Sequence, residues 1–217
     1  MQDTERRYRD IGNMEIRAEK NGDKDKLVIE GYPIVYGQRT VLFPGVAEII
    51  EPGAATEALE KQNTNVYWNH NTAKPMAGFK NETLEAQEDE NGVWMRAEVQ
   101  GTVWGREGYE AIQSKIVDQM SFAFRVDREG EEWTTETDEE GKTVDLRTIK
   151  KFEDIFDFSP VSEPAYTTTE VYARSKEMIC RNKPESGAPD EGPSAEEITQ
   201  TPTEILREKI RLKEAQR

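Results

Sequence analysis

Apolar and polar residues alternate along much of the chain, and this pattern predicts several short β-strands. The clearest strand is GVWMRAEV (residues 92–99), in which every second residue is apolar and faces one side. In SFAFRVD, which begins at Ser121, the two phenylalanines and the valine share one face and Ser121 lies on the other. Residues 26–37 are rich in β-branched and aromatic residues but contain Gly31 and Pro33, which predicts a bent or bulged strand.

Further strands are predicted around the two polar motifs that matter later. TNVYWNH is an apolar strand that ends at His70. In the segment FEDIFDF, strand alternation places three phenylalanines on one face, with Ile155 and Asp157 on the opposite one; the three are Phe152, Phe156 and Phe158. Between these motifs, the acidic run EGEEWTTETDEEGKT is rich in turn residues and charge, which predicts a long solvated hairpin loop.

Helical spacing is limited to two segments of the body. Pro52 and Gly53 precede a short predicted helix over residues 54–61. A second helix is predicted over residues 104–117, with Tyr109, Ile112 and Ile116 on one face. Because no βαβ repeat is present, the pattern predicts a mainly β fold with added helices (α+β), either a barrel or a sandwich.

Both ends of the chain differ in composition from the body. Residues 1–13 form a charged N-terminal arm. Residues 175–200 are rich in Pro, Gly, Ser and Glu and contain no aromatic residue, which predicts a disordered linker. Residues 201–217 begin with a T-x-x-E capping box and carry an apolar stripe, so they are predicted to form an amphipathic terminal helix that needs a partner.

Charge and cysteine content exclude several classes of protein. The formal charge is −15, and nearly all of it lies before Ser175. An acidic body repels phosphates, so neither nucleic acid nor an anionic membrane surface is an expected partner. One cysteine and one histidine disfavour a disulfide or a zinc site, and no cofactor is expected. With no apolar run of about 18 residues and no signal peptide, the protein is expected in the cytoplasm.

Three polar residues are candidates for chemistry, and each also has a structural interpretation. His70 is the one histidine in the chain and acts either as a structural residue at a strand end or as a proton acceptor. Ser121 either makes local backbone contacts or is a nucleophile, which would need a base within hydrogen-bond reach. Asp157 lies in an apolar strand and therefore needs a partner, either in an ion pair or in a catalytic site. A Ser–Lys dyad with Lys115 is a less favoured alternative.

Several motifs, taken in order, give these residues a common interpretation. GYPIVYG, EIIEPGAATEAL, YWNHNTAKPMAG, MSFAFRV and DFSPVSEPAY occur in the order and spacing of the prohead (capsid maturation) serine proteases of tailed bacteriophages. The chain resembles that family over residues 14–174, which are therefore assigned to a prohead protease domain. The family is distantly similar to the herpesvirus assemblins, and the resemblance implies a herpesvirus-protease-like β-barrel surrounded by a few helices.

The resemblance also implies roles for the three candidates. His70 corresponds to the catalytic histidine and Ser121 to the nucleophile. Assemblins use a second histidine, which this chain lacks, so the third member is expected to be the acid Asp157. Asp154 and Glu153 are the alternative acids.

A function follows from the resemblance as an expectation. The protein would be a serine endopeptidase that cleaves the major capsid protein, its scaffold segment and itself inside the assembling procapsid, in the host cytoplasm. By analogy with assemblins it would form a homodimer, and its tail after Arg174 would be removed by self-cleavage. The alternative is a non-catalytic scaffolding or capsid-interaction protein built on a protease-like barrel.

Overall fold

The computed structural model describes residues 5–10, 17–21, 26–138 and 141–162, and all of them lie in one compact unit, Met1–Lys183. The helices are α1 (Thr56–Glu60) and α2 (Val103–Gln113), and two 3-10 turns cover Trp68–His70 and Phe79–Asn81. The strands are β1 (Glu5–Asp10), β2 (Arg17–Asn21), β3 (Lys26–Val35), β4 (Thr40–Phe43), β5 (Val46–Ile50), β6 (Asn65–Tyr67), β7 (Pro75–Gly78), β8 (Leu84–Glu88), β9 (Gly92–Val99), β10 (Gln119–Val126), β11 (Glu131–Thr137), β12 (Thr143–Ile149) and β13 (Phe152–Val161).

These strands form three sheets. The first has the order β1-β10-β13-β6-β7, the second β11-β12-β5-β4 and the third β2-β3-β9-β8. Most neighbours are antiparallel, but β12 pairs with β5, and β13 with β6, in parallel. The first sheet is the important one for function, because it contains all three candidate residues on or beside β10, β13 and β6.

The main core packs against one face of β10 and β13. Phe122, Phe124 and Phe152 are fully buried there. The rings of Phe122 and Phe124 stack at 5.0 Å, and Phe152 meets Phe124 edge-on at 5.0 Å. Such aromatic pairs contribute about 0.5–1.5 kcal/mol beyond their area burial. Because a one-residue slip would turn this face outward, the phenylalanines also determine which residues of β10 face the other way.

The mainly β architecture with few helices is confirmed. The strands predicted over residues 92–99 and from Ser121 are β9 and β10, and β3 has the predicted irregularity, a register shift between Gly31 and Ile34. The expected barrel needs a correction, because none of the three sheets in the described ranges closes on itself. A barrel requires the first and last strands of a sheet to pair.

The hairpin predicted for the acidic run is present, but its arms are paired strands and not a solvated loop. Most of that run lies in β11 and β12, which pair antiparallel from Glu131 opposite Ile149 to Thr137 opposite Thr143. Every second residue along much of β11 is exposed, so the charged side chains reach water while the backbone pairs. The high charge therefore indicated an exposed strand face and not the absence of a strand.

Faces along β13 differ from the predicted alternation. Ile155 is buried together with Phe152 and Phe158, whereas Phe156 is only partly buried. The cause is a register shift between the Ala123–Asp157 and Phe124–Ile155 pairs, which leaves Phe156 as an extra residue in the strand.

The two helices are shorter than predicted. α1 covers Thr56–Glu60, and α2 ends at Gln113. Tyr109 and Ile112 are buried as expected, but Ile116 lies beyond the end of α2 and is 76% exposed. Its place in the apolar stripe was wrong because Lys115, with a φ of 59°, leaves the helical conformation before it.

The predicted linker and terminal helix lie outside the described residues and stay predictions, as do the predicted domain boundaries. Among the residues that the structure describes, no helix has the length and apolar character needed to cross a membrane.

Candidate active site

His70 lies at the end of a tight turn and not within a strand. β6 ends at Tyr67, which corrects the prediction of a strand that runs to the histidine. Asn69 and His70 both have positive φ, 53° and 55°, a left-handed conformation that is uncommon for residues other than glycine but least so for Asn, Asp and His. The Asn69 side-chain oxygen accepts a hydrogen bond from the Ser162 backbone N–H at 2.9 Å. This bond ties the turn to the end of β13 and so fixes the position of the imidazole.

Ser121 and Asp157 lie on adjacent strands and on the same face. In the β10–β13 pair, Ser121 is opposite Ser159 and Ala123 is opposite Asp157. Residues two apart in a strand share a face, so all four positions lie on the side away from the phenylalanine core. β6 runs parallel to β13 with Asn65 opposite Asp157, which brings the following turn over this face.

The structure joins the three candidates through the imidazole ring. His70 Nδ1 lies 2.7 Å from Asp157 Oδ1, and His70 Nε2 lies 2.6 Å from Ser121 Oγ. Since a carboxylate can only accept, Nδ1 carries the hydrogen in the first of these bonds. The His70 and Asp157 side chains are each 7% exposed, and Ser121 is fully buried.

Sequence reasoning missed a fourth polar residue at this site. Ser159 is fully buried, and its hydroxyl donates to Asp157 Oδ1 at 2.6 Å, the same oxygen that His70 Nδ1 contacts. The signal was present in the sequence, because Ser159 follows Asp157 by two residues in a strand and therefore shares its face. Nearby, burial and then the negative charge of Asp157 raise the pKa of the Tyr67 phenol.

Comparison with known proteins assigns the chain to a family. The family model described as caudovirus prohead serine protease matches residues 12–183. The chain belongs to this family. Among solved structures, the prohead protease chain is similar to the bacteriophage T4 capsid assembly protease gp21, with 13% identity, coverage of 74% of this chain and 98% of that chain, and a TM-score of 0.46. Comparison with curated proteins gave no significant match.

In this prohead protease, the two alternative acids, Asp154 and Glu153, form ion pairs with residues other than His70. Asp154 lies 2.8 Å from Lys61 Nζ and 3.4 Å from Arg125 Nη1. Glu153 lies 3.6 Å from the same Arg125 nitrogen. Both residues therefore belong to a partly exposed group of ion pairs, whereas Asp157 contacts the imidazole.

The Ser–Lys alternative has no geometric support in the described residues. Lys115 is exposed just beyond the end of α2, whereas Ser121 is fully buried beside His70. Within the described ranges, no three His, Cys, Asp or Glu side chains are grouped as a metal site would need.

The opposite face of β10 carries a second buried polar group, which we call the ion-pair cluster: Glu5, Arg7, Glu48, Glu131 and Arg147. Arg7 donates to both Glu48 oxygens at 2.8 Å, and Arg147 donates to both Glu5 oxygens at 2.6 and 2.8 Å. Arg147 also donates to Glu48 at 3.1 Å and to Glu131 at 2.6 Å. Four of the five residues are buried, and Glu48 and Arg147 are completely so.

Electrostatic attraction within the ion-pair cluster keeps Glu5 and Arg7 charged despite burial. Burial opposes ionisation of Glu5, but Arg7 and Arg147 outweigh it and lower the pKa of Glu5 to about 2. Burial likewise opposes the charge on Arg7, and Glu48 and Glu5 outweigh it, so the Arg7 pKa is raised. Glu48 and Arg147 were the available sequence signal, because each is a charged residue inside an apolar strand and needs a buried partner.

Proposed function

We propose that this protein is a serine endopeptidase that cleaves capsid and scaffold proteins, and itself, during head maturation. The observation that carries the proposal is the pair of contacts made by the His70 ring, 2.7 Å to Asp157 and 2.6 Å to Ser121. A serine becomes a nucleophile when a base can take its proton and a third group orients that base. Membership of the prohead serine protease family supports the same activity.

Each member of the proposed triad takes part in the reaction in a different way. The Ser121 hydroxyl proton moves to His70 Nε2 while Oγ forms a bond to the carbonyl carbon of the substrate. Asp157 holds the ring by Nδ1 and stabilises the imidazolium. The proton on Nε2 then passes to the departing amine as the peptide C–N bond breaks. Water next adds to the acyl carbon, giving its proton to His70, and Ser121 recovers a hydrogen as the acid product leaves.

The proposed substrates and location follow from the family. A prohead protease would act in the assembling procapsid, in the host cytoplasm, with the major capsid protein and its scaffold segment as substrates. Residues 175–217 would serve as a tail that docks the enzyme among coat subunits and is afterwards removed. We further propose a homodimer, by analogy with the assemblins.

Comparison of coat-protein cleavage by the wild type and by Ser121→Ala tests the proposed protease activity. The full chain is co-expressed with its coat protein as wild type and as Ser121→Ala, and coat and protease masses are measured. We expect processing to disappear in Ser121→Ala and to persist in the control Ser114→Ala, whose exposed hydroxyl bonds only to its own helix. Equal processing in Ser121→Ala and wild type would contradict the proposal and favour the non-catalytic scaffolding alternative.

The mass of the mature protease tests self-cleavage separately. After assembly, the intact mass of active protein is expected to show that the chain has been cut at some position beyond Arg174 and has lost the residues that follow the cut. Retention of Arg217 in that species would exclude removal of the tail without affecting the proposed activity on coat protein.

A further inference from the structure

The N-terminal strand β1 lies beside the strand that carries Ser121, the proposed nucleophile. β1 pairs antiparallel with β10, with Arg7 opposite Phe122 and Tyr8 opposite Ser121. The Ser121 hydroxyl donates to the backbone carbonyl of Arg7 at 2.7 Å. The peptide bond between Arg7 and Tyr8 therefore lies next to Ser121, the proposed nucleophile.

This contact competes with the proposed chemistry while β1 is in place. A hydroxyl has one hydrogen to donate, and Ser121 Oγ lies between two groups, Arg7 O at 2.7 Å and His70 Nε2 at 2.6 Å. The Arg7 carbonyl can only accept, so it competes with His70 Nε2 for that hydrogen. While the hydroxyl donates to Arg7, Ser121 cannot pass its proton to His70. β1 must leave before Ser121 can react with another molecule.

The Glu5 and Arg7 side chains of β1 are bound in a way that resembles substrate recognition. Arg7 donates through two nitrogens to the two oxygens of the completely buried Glu48, and its guanidinium lies 5.2 Å from the Phe124 ring centroid. Glu5, two residues earlier on the same face, receives two bonds from Arg147. Two-point recognition of this kind discriminates arginine from lysine and from neutral side chains.

The part of the ion-pair cluster that does not belong to β1 is complementary to these two side chains. Without Glu5 and Arg7, the cluster consists of Glu48, Glu131 and Arg147, an excess of one carboxylate over the guanidinium. Such a site favours a cation next to Glu48 and an anion next to Arg147. Removal of β1 would also leave β10 as a sheet edge, which binds an extended peptide through backbone hydrogen bonds.

Resting on the proposed function, we propose that this edge of β10 is the substrate-binding cleft and that residues 5–7 occupy it as an internal substrate mimic. The cleft takes an extended segment with arginine immediately before the cleaved bond and glutamate two residues earlier. Glu48 is the specificity-determining residue for the arginine, and Arg147 is the one for the glutamate. The protein's own Glu-Arg-Arg segment competes with substrates for both.

Point variants of the full chain test the competition. The measurements are the rate of Ser121 labelling by a fluorophosphonate and the cleavage of acetyl-Glu-Ala-Arg-aminomethylcoumarin. Arg7→Gln is expected to raise both rates at least about tenfold, because it removes a two-point buried charge pair. Arg7→Lys keeps the charge but not the paired geometry and should give an intermediate rise. The control Arg128→Gln, at an exposed position, should change neither rate.

Specificity is tested in the Arg7→Gln background. Glu48→Gln is expected to lower the preference for acetyl-Glu-Ala-Arg over acetyl-Glu-Ala-Gln at least about tenfold, whereas Glu85→Gln, at an exposed position of β8, leaves it unchanged. A synthetic peptide of residues 5–10 should inhibit Arg7→Gln in trans. Discovery of a cut after Arg7 in the purified protein would also support the assignment.

The outcomes separate this proposal from the proposed function. One result would overturn the cleft assignment and leave the protease activity intact. In it, labelling depends on Ser121 but is equal in wild type and Arg7→Gln, and the preference for arginine is unchanged in Glu48→Gln. Absence of labelling in every variant, Arg7→Gln included, would contradict both.

Discussion

The two faces of strand β10 carry two buried polar groups of different construction. On one face, His70, Ser121 and Asp157 form a chain of two short contacts with one acid at its end. On the other face, the ion-pair cluster joins three carboxylates and two guanidinium groups through bonds that branch at Glu48 and Arg147. The first group suits proton transfer along a line, and the second suits recognition of charge.

The two groups also differ in how the chain assembles them. Two members of the triad lie on adjacent strands of one sheet, and the third lies on a turn attached to the next strand. The ion-pair cluster draws its members from β1, β5, β11 and β12, which belong to two different sheets. Strand alternation can therefore place Ser121 and Asp157 each on the face away from the core, whereas the cluster requires knowledge of how sheets pack.

The largest expected effect tests Asp157 as the acid of the proposed triad, with Asp154 for comparison. Asp157→Asn should lower kcat/KM by a factor on the order of 10⁴, because the ring of His70 loses the acceptor that sets its tautomer. Asp154→Asn is the matched control, since Asp154 pairs with Lys61 and Arg125 outside the triad. An equal loss in both variants would remove Asp157 from its proposed role.

The next largest effect concerns how much the ion-pair cluster, on the other face of β10, contributes to the stability of the protein. Arg147→Gln should lower the free energy of unfolding by about 3–5 kcal/mol, because it leaves buried carboxylates without a partner. Arg39→Gln, which breaks the exposed pair with Glu136, should cost about 0–1 kcal/mol. Urea denaturation of the two variants measures the difference. Similar values would mean that the ion-pair cluster contributes no more than a surface pair.

A smaller effect on activity is expected at Ser159, which lies on the same face of the sheet as the proposed triad. Ser159→Ala removes one hydrogen bond to the Asp157 carboxylate, which is worth about 1.5–3 kcal/mol for a charged acceptor. We expect a fall in kcat of roughly tenfold or more with KM unchanged, and a shift in the pH profile of kcat/KM. A loss of stability with an unaltered pH profile would show a purely structural role and not one in positioning Asp157.

The smallest effect is acid release of β1. Glu5 has its pKa lowered from 4.5 to about 2, so the native state favours its charged form. The resulting stabilisation is complete above pH 4.5 and is lost as the pH falls towards 2. The groups facing Glu5 are Arg7 and Arg147, with Glu48 and Glu131 beyond them.

Hydrogen-exchange protection factors of the β1 amides measure this release. Protection should decrease between pH 4.5 and pH 3 in the wild type. In Glu5→Gln it should be low and should change less with pH, because no carboxyl titrates at that position. Constant protection in the wild type over this range would contradict the assigned role of Glu5.

Strand patterns predicted much of the triad but not its surroundings. The alternation in SFAFRV placed Ser121 opposite the phenylalanines, and β10 has this arrangement. The same rule failed at Phe156, because a register shift inserts an extra residue that a period of two cannot represent. It also failed at His70, because two consecutive residues in the left-handed conformation replace the end of the strand. Local bends of this kind depend on partners such as Ser162, which is distant in sequence.

The sequence by itself determined the mainly β fold, the family and the three candidate residues, because strand alternation and ordered motifs are local properties of the chain. Only the tertiary structure brought His70 within hydrogen-bond distance of Ser121 and Asp157, and only it placed the Arg7 carbonyl beside the Ser121 hydroxyl. Buried charges interact over a few ångströms with partners more than 100 residues away, as Glu5 does with Arg147. Their pairing is decided by how the sheets pack, which no pattern of neighbouring residues contains.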